Sequence, residues 1–126
     1  MAGLHKILLA EDNVELREIY ALFLQQHGYE VTTATDGEET LEMAKKLRPD
    51  LIFLDIMMPK LDGFEILRTL RHDPKYGCTK TKIVLFTNLG DATKLSPEIS
   101  RDMDGYVIKA EIDLSDLLEI ITSLQD

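Results

Sequence analysis

The stretch Leu51-Ile52-Phe53-Leu54-Asp55 decides the fold. Its four apolar residues run without alternation, the pattern of a strand buried on both faces in a sheet covered by helices. The run stops at a carboxylate. Met57-Met58-Pro59 follows as a loop, and Asp62 with Glu65 then opens a helix carrying Phe64, Leu67 and Leu70.

The same strand-then-helix unit recurs on either side. Upstream, Lys6-Ile7-Leu8-Leu9-Ala10 reads as a strand. Val14 to His27 reads as a helix with Leu16, Ile19, Tyr20 and Phe23 on one face. Gly28 is placed to end that helix in a left-handed conformation. Glu30 to Ala34 is a short β-rich run, after which Asp36 and Glu39 form a capping-box-like pair for a helix through Leu47, stopped at Pro49. Downstream, His72 to Thr81 holds Pro74 and Gly77 and reads as a loop. Ile83-Val84-Leu85-Phe86 is the fourth strand and Tyr106-Val107-Ile108 the fifth. A last helix begins after Asp113, with Leu114, Leu117, Leu118, Ile121 and Leu124 on one face. The fourth helix is irregular, because Gly90 and Pro97 break its pattern. Ser96-Pro97-Glu98 reads as an N-cap, a first-turn proline and an acidic first turn, which predicts a short helix from Pro97 to Met103.

Alternating strands and helices imply an α/β fold, with a parallel sheet, helices on both faces and right-handed crossovers. No linker or repeat divides the 126 residues, so the expectation is one domain over 1–126. Acidic residues outnumber basic ones 23 to 14, a net charge of −9, which repels phosphate backbones and anionic lipid. Nucleic-acid and membrane binding by this domain are therefore not expected. The absence of Trp also argues against a base-stacking platform. Cys78 is the only cysteine, which excludes an internal disulfide and fits a reducing, cytoplasmic compartment. The apolar run Ile7 to Ala10 meets Glu11 and Asp12 at once, too short for a secretory signal.

In parallel sheets of this kind, ligands bind beyond the carboxyl ends of the strands. Glu11 and Asp12 follow strand one, Asp55 strand three, Thr87 strand four and Lys109 strand five. If strands one and three are neighbours, three carboxylates meet in one crevice, although Asp12 and Asp55 lie 43 positions apart. They need a counter-charge. Lys109 supplies one, and an all-oxygen set without His or Cys suits Mg²⁺ (or Mn²⁺) as a second. A carboxylate beside a divalent cation, a lysine and a hydroxyl is equipped for phosphoryl transfer, and aspartate is a known covalent nucleophile. Asp55 is the candidate acceptor, since it alone ends a wholly apolar strand. Asp12 and Glu11 would hold the metal, while Thr87 and Lys109 would bind phosphoryl oxygens. Taken alone, Glu11-Asp12-Asn13 is also a favourable acidic first turn for helix one, and Thr87 an ordinary strand end. His5, His27 and His72 show no metal-ligand spacing.

On these residues the chain resembles the receiver domain of two-component response regulators. The match consists of the acidic pair after strand one, the stretch Asp55-Ile56-Met57-Met58-Pro59-Lys60-Leu61-Asp62-Gly63, Thr87, and Gly105-Tyr106-Val107-Ile108-Lys109, and it covers roughly residues 5–124. The resemblance implies a flavodoxin-like, CheY-like five-stranded sheet of order 2-1-3-4-5 with five helices. It implies that Asp55 is phosphorylated, and that Mg²⁺ is held by Asp12, Asp55 and the backbone carbonyl of Met57, with Glu11 acting mainly through water. It makes Thr87 the switch hydroxyl and Tyr106 the aromatic that follows it. The implied phosphodonor is a phosphohistidine on a sensor histidine kinase or histidine phosphotransfer protein. The output is contact with a downstream protein, as a monomer or a weak dimer on the helix 4–strand 5–helix 5 face.

Besides the broken fourth helix, which lies on the face receivers commonly use for output, two positions depart from the family's pattern. Ala110 follows Lys109 where proline is usual, and a cis peptide to alanine costs roughly 2.5–4 kcal/mol against about 0.5–1 for proline. Asn88 sits beside Thr87 where a small residue is usual, and would narrow access to Asp55. They motivate an alternative, a pseudo-receiver that binds proteins without phosphorylation. Enzymes on similar sheets fit less well. Glu11-Asp12 would repel a flavin phosphate, and the DxDxT motif of aspartate-nucleophile phosphatases is absent. The expectation is a protein that is not an enzyme toward external substrates and catalyses only its own phosphoryl transfer and dephosphorylation.

Overall fold

The computed structural model describes residues 4–58, 60, 62–87 and 96–125, with Ala110 through its backbone only. Five parallel strands, β1 Lys6–Ala10, β2 Glu30–Ala34, β3 Leu51–Asp55, β4 Lys82–Thr87 and β5 Gly105–Ile108, form one sheet in the order β2-β1-β3-β4-β5. Between and after them run α1 Val14–Gln26, α2 Gly37–Leu47, α3 Gly63–His72, α4 Pro97–Asp102 and α5 Leu114–Leu124. This is the expected α/β order 2-1-3-4-5, with β1 and β3 as neighbours.

Strand periodicity explains why both faces are apolar. Leu8, Ala10, Ile52, Leu54, Ile83 and Leu85 point to one side, onto Ala44 of α2 and Ile66, Leu67 and Leu70 of α3. Their sequence neighbours Ile7, Leu9, Leu51, Phe53, Val84 and Phe86 point to the other, onto Tyr20 and Leu24 of α1 and Leu117 and Ile121 of α5. The continuous apolar runs thus feed two cores, one per sheet face. All five residues of β3 are buried, Asp55 included.

The helix ends follow from side-chain and glycine chemistry. Asn13 caps α1 by accepting from the Leu16 N–H at 3.0 Å, and Gly28 closes its far end at φ 92°. Asp36 caps α2 by accepting from the Glu39 N–H at 2.8 Å. The reciprocal bond of a capping box is displaced: the Glu39 carboxylate accepts from the N–H of Thr35 rather than that of Asp36. Ser96 caps α4 through the Ile99 N–H at 3.3 Å.

Several boundaries move from the sequence expectation. Helix α1 ends at Gln26, with His27 as its cap, and α4 ends at Asp102 rather than Met103. The expected loop from His72 to Thr81 begins only after His72, which closes α3, and contains a 3₁₀ turn at Pro74–Tyr76. Strand β4 gains Lys82 and Thr87, and β5 gains Gly105, because backbone pairing extends past the apolar core of each run. A second 3₁₀ turn, Lys109–Glu111, follows β5. Among the described residues no peptide bond is cis. No helix among them is long and apolar enough to cross a membrane.

Candidate functional site

Parallel pairing brings the strand ends together. Ala10 lies opposite Leu54, so the chain leaves β1 at Glu11 beside Asp55, the last residue of β3. Carboxylate oxygens of Glu11, Asp12 and Asp55 all lie within 4.8 Å of one another. The three line an open cleft with Asn13, Leu16, Met57 and Lys109. Glu11 and Asp55 are buried, whereas Asp12 faces solvent.

Lys109, immediately after β5, reaches across two strand ends to the pair. Its Nζ donates to Asp55 Oδ2 at 2.8 Å. The same Nζ stands 2.9 Å from Glu11 Oε1, an ion-pair contact that lacks the alignment of a hydrogen bond. The other oxygens are held by backbone: Asp55 Oδ1 accepts from the Met57 N–H at 2.9 Å, and Glu11 Oε2 from the Asn13 N–H at 3.1 Å. Both are i to i+2 contacts of the kind that acidic side chains make at turns.

The electrostatics follow from burial and crowding. Burial pushes the Asp55 carboxyl up to about 7, the nearby Glu11 carboxyl adds to this, and the bonds from Lys109 and Met57 offset part of it. For Lys109, burial favours the neutral amine, but its contacts with Asp55 and Glu11 outweigh that and raise its pKa. The Tyr20 phenol below the crevice is also raised, by burial first and then by the Glu11 charge.

A divalent cation fits this donor set. Among the described residues, three carboxylates gathered about one ammonium leave two negative charges without a directly paired cation when all are ionised. Glu11 Oε1 is a buried oxygen that accepts no aligned hydrogen bond among the described residues, with the Lys109 ammonium beside it. The ligand atoms are all oxygens, as hard cations prefer. Met57 lines the same cleft, the place expected for its carbonyl to contribute.

The remaining expected residues distribute unevenly. Thr87 ends β4, buried, opposite Ile108 in register and next to the strand that delivers Lys109. Tyr106 lies outside the cleft: the residue is 46% exposed and borders a groove with Ile108, Ile112 and Ile120 between β5 and α5. Asn88 lies outside the described residues. One important residue carries no chemistry and was not singled out for a role. A Cβ on Gly63 would stand 2.3 Å from Ile56 Cα, so only glycine lets the start of α3 close against the turn after Asp55. Its signal is the Asp62-Gly63 pair at a helix start.

With this geometry, the response regulator receiver domain model matches residues 7–122. The chain belongs to that family. It is thus a receiver domain of two-component systems, a family whose partners are histidine kinases and phosphotransfer proteins. The protein named "Probable transcriptional regulator ycf27" of Cyanophora paradoxa is 38% identical over 104 residues, covering 82% of this chain and 41% of that protein. Transcriptional regulatory protein AfsQ1 of Streptomyces coelicolor is 36% identical over 103 residues, covering 82% and 44%. The receiver domain therefore spans about two-fifths of the length of these curated relatives. Among solved structures, chemotaxis response regulator CheY4 of Vibrio cholerae superposes with a TM-score of 0.78 at 32% identity, covering 96% of this chain and 98% of that one. The receiver domain of sensor histidine kinase PA1611 of Pseudomonas aeruginosa, solved with a magnesium ion coordinated in its active-site cleft, gives 0.80 at 27% identity, with 97% of each chain covered.

Proposed function

We propose that this receiver domain accepts a phosphoryl group from phosphohistidine on Asp55, in a reaction that depends on Mg²⁺ or Mn²⁺ held by Glu11, Asp12 and Asp55. The observation that carries the reading is the pairing of Lys109 with Asp55 at 2.8 Å within a crevice of three carboxylates. An ordinary structural ion pair has no use for two further acids beside it. Met57 and Lys109 hold one Asp55 oxygen each, which orients the carboxylate before a donor arrives. A bound divalent cation supplies charge neutralisation, for the carboxylates and for phosphoryl oxygens alike.

The transfer is a displacement at phosphorus. An ionised Asp55 oxygen forms the new P–O bond, the N–P bond breaks, and its electron pair stays on the leaving imidazole, which takes a proton from solvent. Lys109 favours the ionised form of Asp55 before transfer, offsetting part of the rise that burial imposes, and pairs with a phosphoryl oxygen after it. The Thr87 hydroxyl donates to another. The resulting pull on the end of β4 is read at Tyr106, whose exposed ring lies on the neighbouring strand. Through that face the domain would engage a downstream protein.

Intact-protein mass spectrometry tests the reading. Incubation with Mg²⁺ and a small phosphodonor is expected to add one phosphoryl group, lost with chelator and in Asp55→Ala. An adduct that persists in Asp55→Ala, or none on the unaltered protein, overturns it.

A further inference from the structure

Of the three crevice carboxylates, Asp12 is the exposed one, and no hydrogen bond to its side-chain oxygens holds it in the way that Met57 holds Asp55 and Asn13 holds Glu11 among the described contacts. Its backbone is another matter. Arg17, in the first full turn of α1, reaches back with Nη1 to the carbonyl oxygens of Glu11 at 2.9 Å and Asp12 at 3.3 Å. These two carbonyls belong to the peptide units immediately before and after the Asp12 Cα. Fixing both planes fixes φ and ψ of Asp12, and with them the direction of its Cα–Cβ bond. The anchor is itself rigid. The Arg17 N–H bonds the Asn13 carbonyl at 2.9 Å, Asn13 caps the helix, and the Glu11 N–H bonds the Ala34 carbonyl at 3.1 Å.

A guanidinium is suited to this task, since its charge stays on at any relevant pH and it has donors to share between two adjacent acceptors. It also places a positive charge behind a loop that carries two acids. Arg17 touches neither a carboxylate oxygen nor the space a ligand would fill in these contacts, so it acts through the backbone.

We propose that Arg17 is a positioning residue for the divalent-cation site, pre-setting Asp12 by clamping the peptide planes on either side of it. The inference rests on the reading of the crevice as a Mg²⁺ site. Residues that orient metal ligands from behind typically change metal affinity by roughly 10–100-fold when removed, and the lower end applies to one ligand of several.

The test is a Mg²⁺ titration of the full chain followed by backbone amide NMR shifts, on unaltered protein, Asp12→Asn, Arg17→Ala, Arg17→Met and Arg17→Lys. Arg17→Ala and Arg17→Met are expected to raise the Mg²⁺ dissociation constant about tenfold. Arg17→Lys, which keeps the charge and can reach one carbonyl, falls between. Phosphorylation by a small phosphodonor should be slowed at low Mg²⁺ and recover at saturating Mg²⁺. If Arg17→Ala does not fold, Arg17→Met, which retains the apolar stem, carries the comparison. A lower Tm with an unchanged dissociation constant in a folded Arg17 variant overturns the proposal while Asp12→Asn still loses binding. No Mg²⁺ binding by the unaltered protein instead overturns the metal-site reading, and this inference with it.

Discussion

Two charged clusters sit at opposite ends of this sheet, and they are built on different accounts of charge. At the amino ends of β4 and β5, Arg71 donates to the carbonyls of Asp102, Thr79 and Thr81 and pairs with Asp104 at 2.9 Å. The same Asp104 oxygen accepts from the Ile83 N–H at 2.8 Å. One cation meets one anion, and the bonds left over go to backbone. At the carboxyl ends, one cation meets three carboxylates, a buried oxygen accepts no aligned hydrogen bond among the described residues, and the Asp55 carboxyl is driven up to about 7 by burial and by Glu11. The balanced cluster is a clasp joining α3, β4 and β5. The unbalanced one gathers like charges, and on the proposed function a cation and a phosphoryl group would take up that imbalance.

Arg71→Ala is expected to cost roughly 2–4 kcal/mol in urea unfolding, because it strands Asp104 and several carbonyls that are partly buried. Mg²⁺ affinity should stay as in the unaltered protein. A loss below about 1 kcal/mol would mean that the clasp is not structural.

The opposite sign is expected at the other end. Burial and the Glu11 carboxyl hold the Asp55 carboxyl up at about 7 in the folded chain, against an ordinary 3.8. Between these values the native state holds a proton that the unfolded chain has released, so stability falls as pH rises from about 4 to 7 and then levels. Asp55→Asn removes that penalty. In Mg²⁺-free buffer at pH 8 it should stabilise the domain by about 1 kcal/mol or more, with the advantage vanishing near pH 4. Thermal melts across that pH range check it, and an advantage independent of pH would refute the electrostatic cause.

The smallest effect sharpens the clasp's boundary. His72 Nε2 lies 2.9 Å from Asp102 Oδ1, but the His72 side chain is 63% exposed. His72→Ala should therefore cost only a few tenths of a kcal/mol, as exposed ion pairs do. A loss matching that of Arg71→Ala would extend the clasp to the surface.

Much of this was legible in the chain before any contact was known. The unbroken run Leu51–Leu54, the helix starts at Asp36, Asp62 and Ser96, and the strand ends at Glu11, Asp55, Thr87 and Lys109 all declare themselves locally, whereas the Asn13 cap, in a stretch that reads as an acidic first turn, does not. They do so because burial on both faces, capping and turn formation act over a few neighbouring residues. The 3₁₀ turns and the extra residues of β4 and β5 were not legible, since they depend on which backbone groups find partners across the sheet. Gly63 reads as a helix-start glycine, and only the close approach of Ile56, whose Cα a Cβ there would meet at 2.3 Å, explains why nothing larger fits. Arg17 belongs to no motif, and only its bonds to the Glu11 and Asp12 carbonyls mark it out.

By itself, then, the sequence determined the alternating α/β elements, the class of sheet and the acids that stand at its strand ends, because each is a property of periodicity and local backbone chemistry. The tertiary structure decided what those acids experience. Residues 11, 55 and 109 become neighbours only when four strands, β1, β3, β4 and β5, pair in parallel, and only there does exclusion of water raise the Asp55 pKa and bring Lys109 against two carboxylates at once. Charge balance is a sum over residues far apart in the chain, and folding is what brings them within reach of one another.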